Sequence, residues 1–277
     1  MKRIGLIAAL TAALASMFAG CSTTALLSLL TPGGGAVTRA VAYGPKLRQM
    51  LDVYRPANAL SSKPIVVFFY GGAWNRGERA DYEFVGKALA AHGVLAIVAD
   101  YRLHPQVSYP DFLSDCALAV AWAQREAAAL GADPSNLFIM GHSAGAYNAA
   151  MLALDKGRLA TPPAGWIGLA GPYDFLPIRE PDVQPVFHHP NYPPNSQPIA
   201  LARRDAPRTL IVVGGGDQRV NPKRNSESLV KNLQAAGADA QLTVYDSVGH
   251  EALIAAFAWP LRWYAPVLDR VMSFIAP

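Results

Sequence analysis

Six successive apolar or aromatic residues, Ile65-Val66-Val67-Phe68-Phe69-Tyr70, run directly into Gly71-Gly72. A half-exposed strand alternates polar and apolar positions, so an unbroken run of this kind needs cover on both faces. The runs at 94–99 and 137–140 have the same character. Helical periods at 81–91, 112–130 and 144–154 separate or follow these runs. Shorter apolar runs at 166–170, 209–213 and 241–245 continue the alternation. A further helix is expected at 222–236, with Asn221 as its cap, Pro222 at its first position and Gly237 just past its end. Another is expected at 261–274, after Pro260. Residues 46–54 are expected to add an edge strand. Strands and helices in this alternation imply an α/β protein, a mainly parallel sheet with helices on both faces. Such sheets bind ligands at the carboxyl ends of their strands, so chemistry is expected on the turns leaving them. Residues 177–207 have no period and are rich in proline. A segment of that length in a compact domain is expected to form an irregular cap, since it lacks the apolar pattern of a second core.

The chain of 277 residues is 52% hydrophobic and 16% charged, a composition that excludes disorder for most of its length. The net charge is +4 without a Lys/Arg cluster, so no nucleic-acid partner is expected. Lys2 and Arg3 precede an uncharged stretch, 4–19, the pattern of an export signal. That stretch is shorter than the ~20 residues of a bilayer span. It ends in Phe18-Ala19-Gly20-Cys21-Ser22, which is similar to a bacterial lipobox, whose cysteine is acylated and becomes the new N-terminus. Residues 1–20 are therefore expected to be a lipoprotein-type signal peptide, with Cys21 as the lipidation site and membrane anchor. A linker follows at 21–45, broken by Thr31-Pro32-Gly33-Gly34-Gly35, and the main domain at 46–277. The exported protein is expected at the membrane, on the periplasmic side or at the outer membrane, or else released as a soluble form. The two cysteines, Cys21 and Cys116, cannot build a disulfide scaffold or a cysteine zinc site. Cys116, on the long helix, reads as a buried small hydrophobe.

Gly141-His142-Ser143-Ala144-Gly145 follows the run 137–140 and opens a helix, the strand–turn–helix setting that gives G-x-S-x-G its meaning. Such a turn lifts the Ser143 hydroxyl out of the sheet, and glycine on either side lets neighbouring backbone approach. A serine nucleophile needs a base, and the base needs an acid to fix its tautomer. Of the six histidines, His250 follows the last strand, and the order Ser, acid, His selects it. His142 sits inside the elbow, pointing away from the serine hydroxyl. Asp217, leaving 209–213 through Gly214-Gly215-Gly216, is the favoured acid, with Asp174 in Gly171-Pro172-Tyr173-Asp174 as the alternative. Oxyanion donors are expected from the amides of Gly72 and Ala73, after the first central strand, and of Ala144. This chemistry calls for no metal or organic cofactor.

Tyr70-Gly71-Gly72-Ala73-Trp74, Asp100-Tyr101-Arg102-Leu103, the serine elbow, Gly171-Pro172-Tyr173-Asp174 and Gly214-Gly215-Gly216-Asp217 together resemble α/β-hydrolase signatures from about residue 51 to the C-terminus. They are most similar to the esterase/lipase branch containing feruloyl-esterase-like, hormone-sensitive-lipase-like and kynurenine-formamidase-like enzymes. In that branch the oxyanion strand usually ends His-Gly-Gly, and here Tyr70 takes the histidine's place. The resemblance implies scaffold roles for Asp100, Tyr101, Arg102 and Asp115. It implies a serine carboxylesterase acting on a small-molecule ester, with an arylformamidase-type amide hydrolase as the alternative. An inactive hydrolase-fold lipoprotein that binds a partner is the alternative from another class. The stiff, partly polar segment 177–207 and Trp74 beside the oxyanion turn point to short acyl chains. Oligomeric state is left open.

Overall fold

The computed structural model describes residues 23–58 and 63–276. Cys21 and the apolar segment before it lie outside the described residues. The elements in chain order are helix α1 (Thr23–Leu30), strands β1 (Val37–Ala42), β2 (Met50–Tyr54) and β3 (Lys63–Phe69), helix α2 (Glu83–Ala91), strand β4 (Leu95–Ala99), helix α3 (Asp111–Glu126), strand β5 (Ala132–His142) and helix α4 (Ala144–Leu154). They continue with β6 (Gly165–Leu169), β7 (Arg208–Gly214), α5 (Ser228–Ala235), β8 (Ala240–Tyr245), α6 (His250–Ala255) and α7 (Val267–Ile275). Among the described residues, one sheet of eight strands has the order β1-β2-β4-β3-β5-β6-β7-β8. Strand β2 pairs antiparallel with β1 and β4, whereas the pairs from β4 through β3, β5, β6 and β7 to β8 are parallel.

The apolar runs occupy the middle of this sheet as expected. Ile65 to Phe69 are fully buried, and so are Leu95 to Ala99 and Ile139 to Met140. Because β3, β5 and β7 point the same way, the turns after Phe69, His142 and Gly214 emerge at one end. Register fixes that end: Phe69 lies opposite Gly141, and His142 opposite Leu169.

Four expectations need correction. The stretch 21–45, expected as a linker, supplies α1 and the true edge strand, β1. The α1 helix docks on α2, where the Phe84 amide donates to Ser28 Oγ at 3.2 Å and Lys87 Nζ to the Ser28 carbonyl at 2.9 Å. As an edge, β1 is largely exposed and so carries no apolar run. The strand expected at 46–54 begins only at Met50 and lies inside β1. Residues 43–49 instead close a turn through Tyr43 N to the Gln49 carbonyl and Gln49 N to the Lys46 carbonyl, both 2.9 Å. The C-terminal helix is confined to α7, because Pro260 and Pro266 restrict the preceding stretch to a short 3₁₀ turn (Trp259–Leu261) and irregular backbone. Helix 112–130 similarly ends at Glu126, with a 3₁₀ turn closing on Gly131 at φ +73°. The segment 177–207 contains two 3₁₀ turns, Gln184–Phe187 and Pro198–Leu201, and is otherwise irregular.

Candidate active site

Ser143 stands between β5 and α4 at φ +54° and ψ −122°, backbone that an L residue adopts only under constraint. The constraint is visible on both sides. The Ser143 amide donates to the Leu169 carbonyl at 2.9 Å, extending the sheet, while its own carbonyl accepts from Ala146 N at 2.9 Å and starts the helix. A Cβ on Gly145 would stand 2.0 Å from the Phe69 carbonyl oxygen, and one on Gly141 2.1 Å from the Gly145 carbonyl oxygen. Only glycine lets the elbow press this closely onto β3.

His250, at the start of α6, and Asp217, after β7, meet as the chain order implies. His250 Nδ1 lies 2.7 Å from Asp217 Oδ2, with both side chains buried. The other carboxylate oxygen accepts from the amides of Arg219 and Val220 at 2.8 and 2.9 Å. Burial alone would raise the Asp217 pKa, but the His250 ring and these two amides outweigh it and hold the carboxylate below its usual range. Asp174, the alternative acid, is turned elsewhere. Its oxygens receive Nε and Nη2 of Arg224, both at 3.1 Å, at the surface. Ser143 and His250 line one cavity of about 770 Å³, together with Gly72, Ala73, Ala144 and Trp74. The serine, the histidine–aspartate pair and the expected oxyanion amides are therefore brought to one place.

The segment after β3 is strained at Ala73 and Trp74, with φ of +51° and +58°, while Gly72 takes φ +134°, which glycine adopts freely. It is held from three sides. The Trp74 carbonyl accepts from His104 N at 2.8 Å, and the Trp74 indole donates to buried Asn148 Oδ1 at 2.9 Å. Tyr70 supplies the third hold. Its hydroxyl accepts from Arg48 Nη2 at 2.6 Å, and the same nitrogen donates to the Gly77 carbonyl at 2.7 Å. Arg48 Nε reaches the Tyr101 carbonyl at 3.0 Å, and the Tyr101 hydroxyl donates to the Tyr70 carbonyl at 2.8 Å. Asp100 receives Arg79, and Asp115 receives Arg102 through both Nε and Nη2 at 2.8 Å. Asp100, Tyr101, Arg102 and Asp115 thus tie loops together away from the cavity.

Several contributors were not expected. Arg48 sits in the 43–49 turn, and its partners stand far away in sequence, where no local pattern points to them. Asn225 is buried beside the cavity, and its Oδ1 accepts from the amides of Tyr173 and Asp174 at 2.6 and 2.8 Å, fixing the turn after β6. His142 Nε2 lies 3.2 Å from the His250 carbonyl oxygen, so the elbow holds the backbone of His250 as well as presenting the serine. Burial, with a smaller effect from His250, pushes the His142 imidazole down to about 3. It is therefore neutral near pH 7, with Nε2–H as the donor to that carbonyl.

Residues 111–269 match the family model of the prolyl oligopeptidase family, and residues 51–162 match that of BD-FAE. Isoprenylcysteine alpha-carbonyl methylesterase ICME of Arabidopsis thaliana is 29% identical over 244 residues, 78% of this chain and 57% of that protein. Esterase LipC of Mycobacterium tuberculosis is 30% identical over 222 residues, 71% of this chain and 55% of that protein. The chain therefore spans less than two thirds of either relative. Among solved structures, esterase B from Lactobacillus Rhamnosis (HN001) aligns at a TM-score of 0.76 and 17% identity, over 99% of this chain and 95% of that one. That likeness is one of fold.

Proposed function

The chain belongs to the prolyl oligopeptidase family, with the α/β-hydrolase fold, and on that premise we propose that it is a serine hydrolase cleaving carboxylic esters of short acyl chains. Most support comes from His250, whose Nδ1 is taken by Asp217 at 2.7 Å while its ring lines the cavity that holds Ser143. With Nδ1–H bound to the carboxylate, Nε2 keeps its lone pair as base. In this scheme Nε2 takes the Ser143 proton as Oγ bonds to the ester carbonyl carbon. The negative oxygen that results is met by the amides of Gly72, Ala73 and Ala144. Return of the proton to the alkoxy group releases the alcohol and leaves an acyl-enzyme, which water opens by the same route. The ester leaving group is favoured because both relatives above are named as esterases.

The short acyl preference draws on the cavity walls. Trp74 is only 3% exposed, stacks on Phe175 at 5.9 Å and meets Phe187 edge-on at 4.9 Å. Trp74 and Phe175 wall one side, with buried Phe187 behind Trp74, and Pro177 and Val183 of the irregular segment stand beside them. A fluorophosphonate probe should label the wild type and not Ser143→Ala. In a nitrophenyl ester panel, acetate to hexanoate should be turned over faster than dodecanoate. N-formylkynurenine belongs in the same panel. A faster formamide than ester, or a kcat/KM that climbs steadily to palmitate, would reject this substrate class while leaving the nucleophile in place.

A further inference from the structure

Five tryptophans divide sharply. Trp74, Trp122 and Trp166 are buried, whereas Trp259 and Trp263 are 61% and 81% exposed. The exposed pair lies in the turn before α7, and that turn is fastened to α1. The Trp259 amide donates to Thr31 Oγ1 at 3.3 Å, and Thr31 Oγ1 donates to the Leu27 carbonyl at 2.7 Å. Leu29 and Leu30, at the end of α1, are 71% and 45% exposed and adjoin this junction. The polar atoms of the aromatic segment are taken up locally: Trp263 Nε1 donates to the Pro260 carbonyl at 3.0 Å and the Tyr264 hydroxyl to the Ser247 carbonyl at 2.9 Å.

We propose that this face, carrying Leu29, Leu30, Trp259 and Trp263, seats on a lipid bilayer. Charge supports that occupant. Residues 23–38 contain no Asp, Glu, Lys or Arg, and residues 252–268 contain one, Arg262. These two segments carry no acidic group and one cation, which suits phospholipid headgroups, while Asp81 and Lys87 of the neighbouring α2 region are held on Thr24 and Ser28 of α1; tryptophan with tyrosine is the pair enriched where hydrocarbon meets water. The chain ahead of α1 gives an independent argument. Residues 4–20 are uncharged and lead to Cys21, two positions before Thr23. Two residues span at most ~7 Å, and an eight-residue helix is ~12 Å long. If Cys21 carries the lipid expected of it, the far end of α1 is held within ~20 Å of the bilayer. A large exposed apolar face at such a tether marks an interaction surface.

The test is tryptophan fluorescence of the full chain in phosphatidylcholine/phosphatidylglycerol vesicles, with flotation and ester hydrolysis measured on the same samples. Brominated acyl chains should quench the emission, and aqueous iodide should quench less than in lipid-free protein. In Trp259→Phe/Trp263→Phe the bromine quenching should vanish while hydrolysis persists, which assigns the contact to this face. The proposal is overturned if iodide quenches equally with and without vesicles, or if the chain does not float. Protection from both quenchers together with a dimer in light scattering would overturn it too, in favour of a second copy as occupant. Hydrolysis is read separately, so a missing esterase activity would leave the quenching result standing.

Discussion

At the scale of single residues, the site stores strain where reactivity is needed. Ser143 at φ +54° suits glycine far better than serine. Ser143→Gly should therefore raise unfolding stability by about 1–2 kcal/mol while removing ester hydrolysis. Ser143→Ala should lose activity by a factor on the order of 10⁶ without that gain. A thermal melt with no upward shift for the glycine variant would mean that the elbow is not strained. Asp217→Asn should lower turnover by roughly 10⁴, because the amide favours the wrong histidine tautomer. Asp174→Asn should affect only the Arg224 contact, and the reverse ranking in kcat would displace Asp217 as the acid. His142 predicts a pH dependence of stability. Its folded pKa of about 3 lies below the ordinary imidazole value of 6.5, so below pH 6.5 the unfolded chain binds the extra proton. Stability should fall with pH between 6.5 and about 3, at up to about 1.4 kcal/mol per unit. His142→Gln should flatten that slope in denaturant titrations. Asp217, depressed below the usual carboxylate value, adds a loss of the same sign at lower pH still.

At the scale of elements, what was legible in the sequence depended on burial. Strands β3, β4 and β5 are covered on both faces, and their continuous apolar runs announce them. Strand β1 is an exposed edge with a bulge at Ala40, whose amide donates to Asp52 Oδ1 at 2.8 Å. A pattern of burial cannot reveal an element that is scarcely buried. The elbow was legible because its requirements are local: two glycines, a serine and a helix start within five residues. The Arg48 hold on Tyr70 was not, since it is a contact between residues 22 apart that no local periodicity encodes. Tyr70→Phe would leave the guanidinium of Arg48 short of one acceptor, and should destabilise the fold by about 1–3 kcal/mol and loosen the oxyanion segment. A kcat reduced with KM little changed would support that role, and unchanged kcat would refute it. Gly145→Ala should cost at least about 3 kcal/mol, because its methyl would stand 2.0 Å from a backbone oxygen of β3. Circular dichroism melts measure the loss directly.

At the scale of the whole molecule, the cap is fastened to the oxyanion segment as well as to the core. Asn75 Nδ2 donates to Asp182 Oδ2 at 3.1 Å, and His188 Nε2 lies 2.7 Å from the Tyr109 carbonyl oxygen. That the cap would be irregular was legible from its prolines, but its attachment points were not, because they join segments about a hundred residues apart. Attachment to the membrane belongs to this scale too. If Cys21 carries the lipid, Cys21→Ala should abolish labelling by a palmitate analogue and leave the precursor uncleaved or released as a soluble form. A wild-type chain that takes up no label would remove the lipoprotein expectation.

The candidate groups are spread along the sheet, with Ser143 after the fifth strand, Asp217 after the seventh and His250 after the eighth. In time as well as in space, then, the nucleophile comes first. Serine and histidine are 107 positions apart (250 − 143), and at ordinary synthesis speeds the ribosome needs on the order of 5–20 s to cover that interval. Throughout it the nascent chain carries a serine with no base beside it. On the proposed mechanism, hydrolytic power arises only once the final parallel strand has been made and docked, so an unfinished or stalled chain would stay chemically silent inside the cell that makes it.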